Sequence, residues 1–334
     1  MFVLGAGASH EAGLPVGHGL KKEIATRLDL RFEHFNTPIG KGDLTIFQVL
    51  MQKYLSEINE YLQACRRIRE GIALSPSIDD FIEMHRDDQR ITVCGKIAIG
   101  RSILEAERLS KLFFEQHNIA DTIDFTRIDD TWYPAFYQLL NQGVTKANLQ
   151  HLFKNVTVVT FNYDRCLEQF LVHAIAANYQ IPLDQARQLV EKLPIFHPYG
   201  SVGPYFGPRP VAFGFKGLSG VDPIVENVRT YTEQIADKAS LHGIRDAISE
   251  AEVLVFLGNA FHENNITLLV PEINKVPGKK IFATRMGISD PDLAIVDLRV
   301  SRLRTGSNPV PYSPHNYAQT CAELFTKYRM VLRE

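Results

Sequence analysis

Residues 1–9, Met-Phe-Val-Leu-Gly-Ala-Gly-Ala-Ser, decide the fold class of this chain. A short apolar run, Met1–Leu4, enters a loop of small residues, Gly5–Ser9, that leads towards a helical segment. Runs that are apolar on both faces are typical of buried parallel strands. Small residues let the backbone approach a pyrophosphate closely, and their N–H groups can donate to it. The stretch therefore predicts the first strand and a ligand-binding loop of an α/β sheet.

Further apolar runs with strand character alternate with helical segments along the chain. The strand-like runs are Val156–Phe161, Pro194–His197, Glu252–Leu257 and Lys280–Thr284. The segments with helical periodicity are Leu20–Leu28, Asp164–Asn178, Leu183–Lys192 and Tyr231–Ser249. Repeated alternation of strand and helix predicts an α/β fold, a Rossmann-like doubly wound parallel sheet with helices on both faces.

A long stretch without a strong strand interrupts this alternation. Amphipathic segments such as Leu44–Arg69 and Lys96–Gln116 indicate helices that pack through an apolar stripe. We therefore expect a helical insertion or cap between the first strand unit and the second, and a tail that ends in a helix, His315–Leu332. The predicted division is a core of 1–34 and 151–300, an insertion of 35–150, and a C-terminal helical tail of 301–334.

Composition excludes several functional classes. The chain has 334 residues and a formal net charge of −2, so it lacks the basic surplus of a protein that coats nucleic acid. The apolar run Met1–Ala8 is too short for a signal peptide, and no stretch approaches the roughly 20 consecutive apolar residues that span a bilayer, so we expect a cytoplasmic protein without a membrane segment. The four cysteines, Cys65, Cys94, Cys166 and Cys321, form no C-x-x-C pair, so we expect no metal site.

The loop at Gly5–Ser9 lacks the marks of a dehydrogenase. His10 stands where that fingerprint has its third glycine, and Asp29 lies in a helical stretch instead of at a strand end. No Gly-Lys-Ser/Thr follows, which excludes a P-loop. The loop therefore predicts a dinucleotide that is not a redox cofactor. The next segment, Gly13–Gly19, has glycines and a proline typical of a mobile flap, although the N-terminal turn of a helix fits equally well.

Polar residues follow three of the predicted strands, at the edge where α/β sheets bind ligands. Asn162 offers a donor and an acceptor, and Asp164 offers a carboxylate, although Asp164 could instead cap the following helix. His197 can act as a base near neutral pH, although a loop histidine can also be incidental. Gly258 and Asn259 suit either contact with a ribose or phosphate, or a tight turn.

The order of these motifs is more specific than any one of them, and it resembles the order found in sirtuins. The motifs are Gly5–Ser9, Gly13–Pro15, Thr160–Asp164, His197–Val202 and the strand end at Gly258–Asn259. Within the insertion, Pro76–Phe81 (PSIDDF) is similar to a phrase in bacterial sirtuin-like proteins of antiviral defence. The resemblance covers residues 1–20 and about 155–285. It implies cleavage of NAD, the activity general among those defence proteins.

The resemblance also implies roles for individual residues, with NAD as the substrate. Gly5, Ala6, Gly7 and Ser9 would line the phosphates, and Leu14 and Pro15 would belong to the flap over the dinucleotide. Asn162 would hold the nicotinamide-side ribose and the attacking water, and Asp164 would bind the nicotinamide carboxamide. His197 would be the base, and Gly258 and Asn259 would lie by the adenosine ribose.

Three departures from the sirtuin pattern favour hydrolysis over deacylation. The flap reads Val16-Gly17-His18 where sirtuins have Phe-Arg, the four-cysteine zinc ribbon is absent, and Tyr199 stands where sirtuins have the histidine before glycine. Whether His197 or Tyr199 occupies the position of the base therefore stays open. The alternatives to an NAD hydrolase are an NAD-dependent protein deacylase and a non-catalytic sensor or assembly subunit that binds NAD or ADP-ribose.

The resemblance further implies control of the activity, because a free NAD hydrolase is toxic. We expect a homo-oligomer, a partner from a defence system such as an ATPase/helicase or an Argonaute-like protein, or both. A phage component is a third expected trigger. The sequence does not choose among them.

Overall fold

A six-stranded parallel sheet forms the centre of the chain in a computed structural model that describes residues 1–33, 37–115, 121–217, 221–276, 278–305 and 316–333. Its strands are β1 (Phe2–Leu4), β4 (Val158–Thr160), β5 (Ile195–Phe196), β6 (Val253–Leu257), β7 (Lys280–Thr284) and β8 (Tyr317–Ala318). Two short strands, β2 (Phe32–Glu33) and β3 (Thr37–Pro38), pair separately in antiparallel orientation. The spatial order β5-β4-β1-β6-β7-β8 is that of a Rossmann fold, which confirms the predicted fold class.

The helices alternate with these strands and also fill most of the predicted insertion. They are α1 (Ala6–His10), α2 (Gly17–Arg27), α3 (Leu44–Tyr54), α4 (Ile58–Gly71), α5 (Ile78–Met84), α6 (Gln89–Leu109), α7 (Trp132–Leu140), α8 (Cys166–Tyr179), α9 (Leu183–Val190), α10 (Val221–Asn227), α11 (Tyr231–Ala236), α12 (Lys238–Glu250), α13 (Glu263–Leu269), α14 (Asp290–Thr305) and α15 (Cys321–Lys327). In the described part of the chain, no helix combines the length and apolar character needed to cross a membrane.

The five predicted strands are all present, but the tail differs from its prediction. The sixth strand, β8, lies where the sequence predicted the start of a helix, and α15 begins only at Cys321. His315, the predicted first residue of that helix, lies outside the described residues, as does Gln116 at the end of a second predicted helix. A two-residue edge strand carries no periodic signal, because it is set by pairing of Ala283 with Tyr317 across the sheet.

Alternating side chains of the strands build two hydrophobic clusters, one on each face of the sheet. Val3 and Phe256 lie in the first cluster with residues of α2 to α6 and α12 to α14. Phe2 and Leu257 lie in the second cluster with residues of α7, α8, α9 and α15. Period-two alternation in strands covered on both faces explains why these runs are apolar throughout.

Helix α7 belongs to the layer that covers the sheet, although it lies within the predicted insertion. The rings of Phe136 and Phe2 meet edge to face at 4.9 Å between centroids. The indole Nε1 of Trp132 donates to the carbonyl of Ala8 at 2.9 Å. The part of the insertion that packs on the opposite face therefore comprises α3 to α6, and α7 helps to hold the loop after β1 in place.

Candidate functional site

The register of the strands brings three loops to one level at the carboxyl edge of the sheet. Leu4 pairs with Thr160 on one side and with Leu257 on the other, so the loops after β1, β4 and β6 begin together. Pairing of Val159 with Phe196 places His197 at the level of Thr160. The strand order reverses between β1 and β6, which is the place where open α/β sheets bind ligands.

The glycines of the first loop are required by contact with the loop after β6. A Cβ on Gly5 would lie 2.6 Å from the Gly258 oxygen, and one on Gly7 would lie 2.7 Å from the Gly258 Cα. Gly258 has a φ of +62°, a conformation that favours glycine. Close packing of the two loops thus explains why these residues are small. The sequence had predicted instead that they are small so that a phosphate can approach the backbone. The N–H of Ala6, an exposed residue, has no acceptor among the described residues.

Three polar side chains meet beneath this loop, and we call Ser9, Asn162 and Asp164 the strand-end cluster. Asn162 Nδ2 donates to the Gly5 oxygen and to Ser9 Oγ, both at 3.0 Å. Ser9 Oγ in turn donates to Asp164 Oδ1 at 2.9 Å. The structure therefore joins residues from the two loops that the sequence singled out. Asp164 Oδ1 also accepts from the N–H of Cys166 at 3.1 Å, so it supports the start of α8 as well.

The Asp164 carboxyl is almost excluded from water, with 7 % of the residue exposed. Burial raises its pKa from 3.8 to about 6, against the opposing effect of the hydrogen bonds from Cys166 and Ser9. The group is consequently ionised for the most part at neutral pH and takes up a proton near pH 6.

Asp164→Asn is expected to make the folded state more stable at pH 8 by roughly 1–3 kcal/mol. A raised folded-state pKa contributes stability that is complete below pH 3.8 and is lost as the pH rises through about 6, and the amide escapes that loss. Urea denaturation of both proteins at pH 4.5 and pH 8 measures this difference. If the difference in free energy of unfolding between the two proteins is the same at pH 4.5 and pH 8, the buried-carboxylate explanation is contradicted.

His197 is held by a carboxylate that sequence reasoning missed. Its Nε2 lies 3.0 Å from Glu168 Oε1, and its Nδ1 is buried without a hydrogen-bond partner among the described residues. Burial opposes protonation, but the hydrogen bond and charge of Glu168, with smaller effects of Asp164 and of the Asn162 backbone, raise the pKa of His197. Glu168 could have been found from the sequence, because it follows Asp164 by four residues, which is one turn of the predicted helix.

Tyr199, the other candidate for the base, faces elsewhere. Its hydroxyl donates to Asn265 Oδ1 at 2.8 Å, and burial raises the pKa of Tyr199. A neutral phenol is a weak acceptor of protons. Of the two candidates, the structure therefore brings His197 and not Tyr199 against the carboxylate of Glu168.

Several other predicted ligand-binding residues have structural partners. Asn259 Nδ2 donates to the Val3 oxygen at 2.9 Å, which ties the end of β6 to β1. Leu14 is 2 % exposed within the second hydrophobic cluster, and Pro15 next to it is partly buried. Helix α2 begins at Gly17, so residues 13–16 form the turn before a helix. Gly17–Gly19 thus lie in the first turn of α2, the arrangement that the helix-terminal interpretation expects.

A buried ion pair fixes the residue that follows Asp164. The side chains of Arg165 and Glu107 are 1 % and 0 % exposed, with 2.6 Å between Nη2 and Oε2. Glu107 also accepts from the Arg165 N–H at 3.0 Å and the Gly214 N–H at 2.9 Å. The pair therefore joins α6, the loop after β4 and the loop containing Gly214. Sequence reasoning missed it, since 58 residues separate the partners.

The insertion also contacts the strand-end motif through Tyr163. Its hydroxyl donates to the carboxylate of Asp79, on α5, within the Pro76–Phe81 phrase noted in the sequence. Burial raises the pKa of Asp79 to about 6. The phrase thus touches the residue between Asn162 and Asp164.

Comparisons with protein families and with curated proteins give no match from which a function could be inferred. No protein-family model matches the chain, and no curated protein matches it either. Within the described residues, no three His, Cys, Asp or Glu side chains are grouped so that they could hold a metal ion.

Proposed function

We propose that this protein is an NAD glycohydrolase, which cleaves NAD to nicotinamide and ADP-ribose. The observation that supports this most is the strand-end cluster, with His197 close by, at the carboxyl edge of a Rossmann-ordered sheet. Two polar groups there also lack protein partners among the described residues, namely the Ala6 N–H and His197 Nδ1. Unpaired polar groups beside a buried carboxylate suit a polar ligand that carries both donors and acceptors.

The chemistry requires one bond to break and one to form. The bond between the nicotinamide ring nitrogen and ribose C1′ breaks, and its electron pair discharges the pyridinium. Positive charge then builds up on the ribose, where the ionised carboxylate of Asp164 stabilises it, a role beyond the contact with the nicotinamide carboxamide that the sirtuin resemblance implies. A water oxygen held by Asn162 bonds to C1′, and its proton passes to the neutral imidazole of His197. The products are nicotinamide, ADP-ribose and one proton.

The exposure of the cluster supports control of this activity by assembly or by a partner. Ser9, Asn162 and Asp164 are only 4 %, 8 % and 7 % exposed. A dinucleotide reaches their side chains only if the segments around them move apart. We therefore propose that the active form is a homo-oligomer or a complex with a defence-system protein, such as an ATPase/helicase or an Argonaute-like protein, in the cytoplasm.

The test is to incubate the purified full chain with NAD, with and without an acetylated peptide, and to measure nicotinamide. Release that is independent of the peptide, by the isolated chain or by its assembled form, is the expected result. Release that requires the peptide would make the protein a deacylase. Tight binding of NAD without turnover, both in the isolated chain and in its assemblies, would make it a sensor.

Glu168→Gln is expected to move the acidic limb of the pH profile of kcat/KM to lower pH. The amide keeps a hydrogen-bond acceptor for His197 but removes the charge that raises the pKa of the imidazole. More of the base is then neutral at a given pH below neutrality. Rates of nicotinamide release between pH 5 and pH 9 measure the shift.

The matched control is Glu191→Gln, because Glu191 is an exposed glutamate. Its profile is expected to coincide with that of the unmodified protein. If Glu168→Gln lowers the rate equally at every pH, Glu168 is only a structural residue and His197 does not titrate in the reaction.

A further inference from the structure

A concentration of positive charge lies on the surface between α2 and α4. Four cationic side chains, Lys22, Arg31, Lys41 and Arg69, line one concave recess around the carboxylate of Asp29. We call this set the cationic recess. Four positive charges and one negative charge leave a net charge of +3 there, in a chain whose formal net charge is −2. The nucleotide site proposed above includes none of these residues.

Asp29 holds the two guanidinium groups in place. Its carboxylate accepts from Arg31 Nε at 2.6 Å and Arg31 Nη2 at 2.9 Å, and also from Arg69. It accepts from the backbone N–H of Lys41 at 3.1 Å as well. A carboxylate with four donors is already satisfied, so it orients the cations while the charge of the recess stays positive.

The two lysines of the recess are available to a ligand. Lys22 and Lys41 are exposed, and no carboxylate of the described residues pairs with either ammonium group. The nearby carboxylate of Glu70 bonds to Arg69 at 3.2 Å, but Arg66 pairs with it at 2.8 Å and offsets its charge. Uncompensated cations that share one recess attract an anion with more than one charge.

We propose that the cationic recess binds an oligophosphate group of a small molecule. Arginine forks match pairs of phosphate oxygens, and lysines add charge without demanding one geometry. The lining has no aromatic side chain, so it offers no surface on which nucleic-acid bases stack. A short phosphate chain, either free or carried by a nucleotide, has the charge and the compact size that the recess fits.

The test is a calorimetric titration of the full chain with inorganic tripolyphosphate at low salt. The variant Lys22→Glu/Lys41→Glu is expected to bind at least about tenfold more weakly, because it reverses both unpaired charges. The control Lys154→Glu/Lys192→Glu makes the same change in net charge at two exposed lysines elsewhere, and it is expected to change the affinity less than about twofold. Urea denaturation confirms that both variants are folded.

Further arms identify the ligand and test the proposal. Equal binding of ATP and tripolyphosphate is expected if the phosphate chain alone is recognised, and tighter binding of ATP would assign a nucleotide. No binding of tripolyphosphate, or an equal loss in the control variant, would overturn the proposal. A 20-residue oligonucleotide that binds more tightly than tripolyphosphate, with loss in the recess variant, would replace it with a nucleic-acid site. NAD turnover is not measured, so failure here leaves the proposed hydrolase intact.

Discussion

Asn162→Ala is expected to lower kcat/KM for nicotinamide release by at least about 100-fold. The amide lies at the centre of the strand-end cluster, and under the proposed mechanism it orients both the ribose and the attacking water. An interaction made to the developing transition state supports the chemical step, so we expect most of the loss in kcat. Continuous measurement of nicotinamide, with quantification of ADP-ribose, checks the result.

The control separates catalysis from folding. Asn162→Ala also removes the donor to Ser9 Oγ and one of the two donors to the Gly5 oxygen, which keeps the Ala8 N–H at 2.9 Å, and this costs about 1–3 kcal/mol of stability. Asn162→Asp keeps the shape of the side chain, and Asn264→Ala alters an exposed asparagine on α13. Activity is expected to fall in both Asn162 variants at temperatures where each is folded, and to be unchanged in Asn264→Ala. A folded Asn162→Ala protein with full activity would remove Asn162 from the mechanism.

Glu107→Ala is expected to reduce the free energy of unfolding by about 3–5 kcal/mol. The substitution leaves the Arg165 guanidinium charged and buried, with two backbone carbonyls, of Val211 and Ala212, as its remaining acceptors. It also removes the acceptor of the Gly214 N–H. Urea denaturation monitored by circular dichroism measures the change.

Two comparisons test the cause of that loss. Glu107→Met/Arg165→Met fills the same space without charge, so it is expected to be clearly more stable than Glu107→Ala. Glu70→Ala removes an exposed carboxylate that pairs with Arg66 and Arg69, and it is expected to leave the free energy of unfolding almost unchanged. If Glu107→Met/Arg165→Met is as unstable as Glu107→Ala, the unpaired buried charge of Arg165 is not the cause of the loss.

Local sequence patterns were sufficient for most of the sheet. β4 and β6 were predictable because each is an unbroken apolar run bounded by turn residues, and the helices between them have clear periodicity. The strand ends at Asn162 and His197 could be located for the same reason. The single predicted helix at Tyr231–Ser249 is two helices, since Asp237 accepts from the Ser240 N–H at 3.1 Å and caps the N-terminus of α12.

The sequence by itself determined the order of strands and helices and the glycine loop after β1, because apolar periodicity and turn residues act over a few neighbouring positions. Only the tertiary structure decided which polar groups meet. It paired Tyr163 with Asp79 across 84 residues, and it packed Gly5 and Gly7 against Gly258. A buried polar group takes whichever partner the packed elements bring within hydrogen-bond distance, and no local pattern records that choice. The residues of the first loop are therefore small because the loop after β6 packs against them.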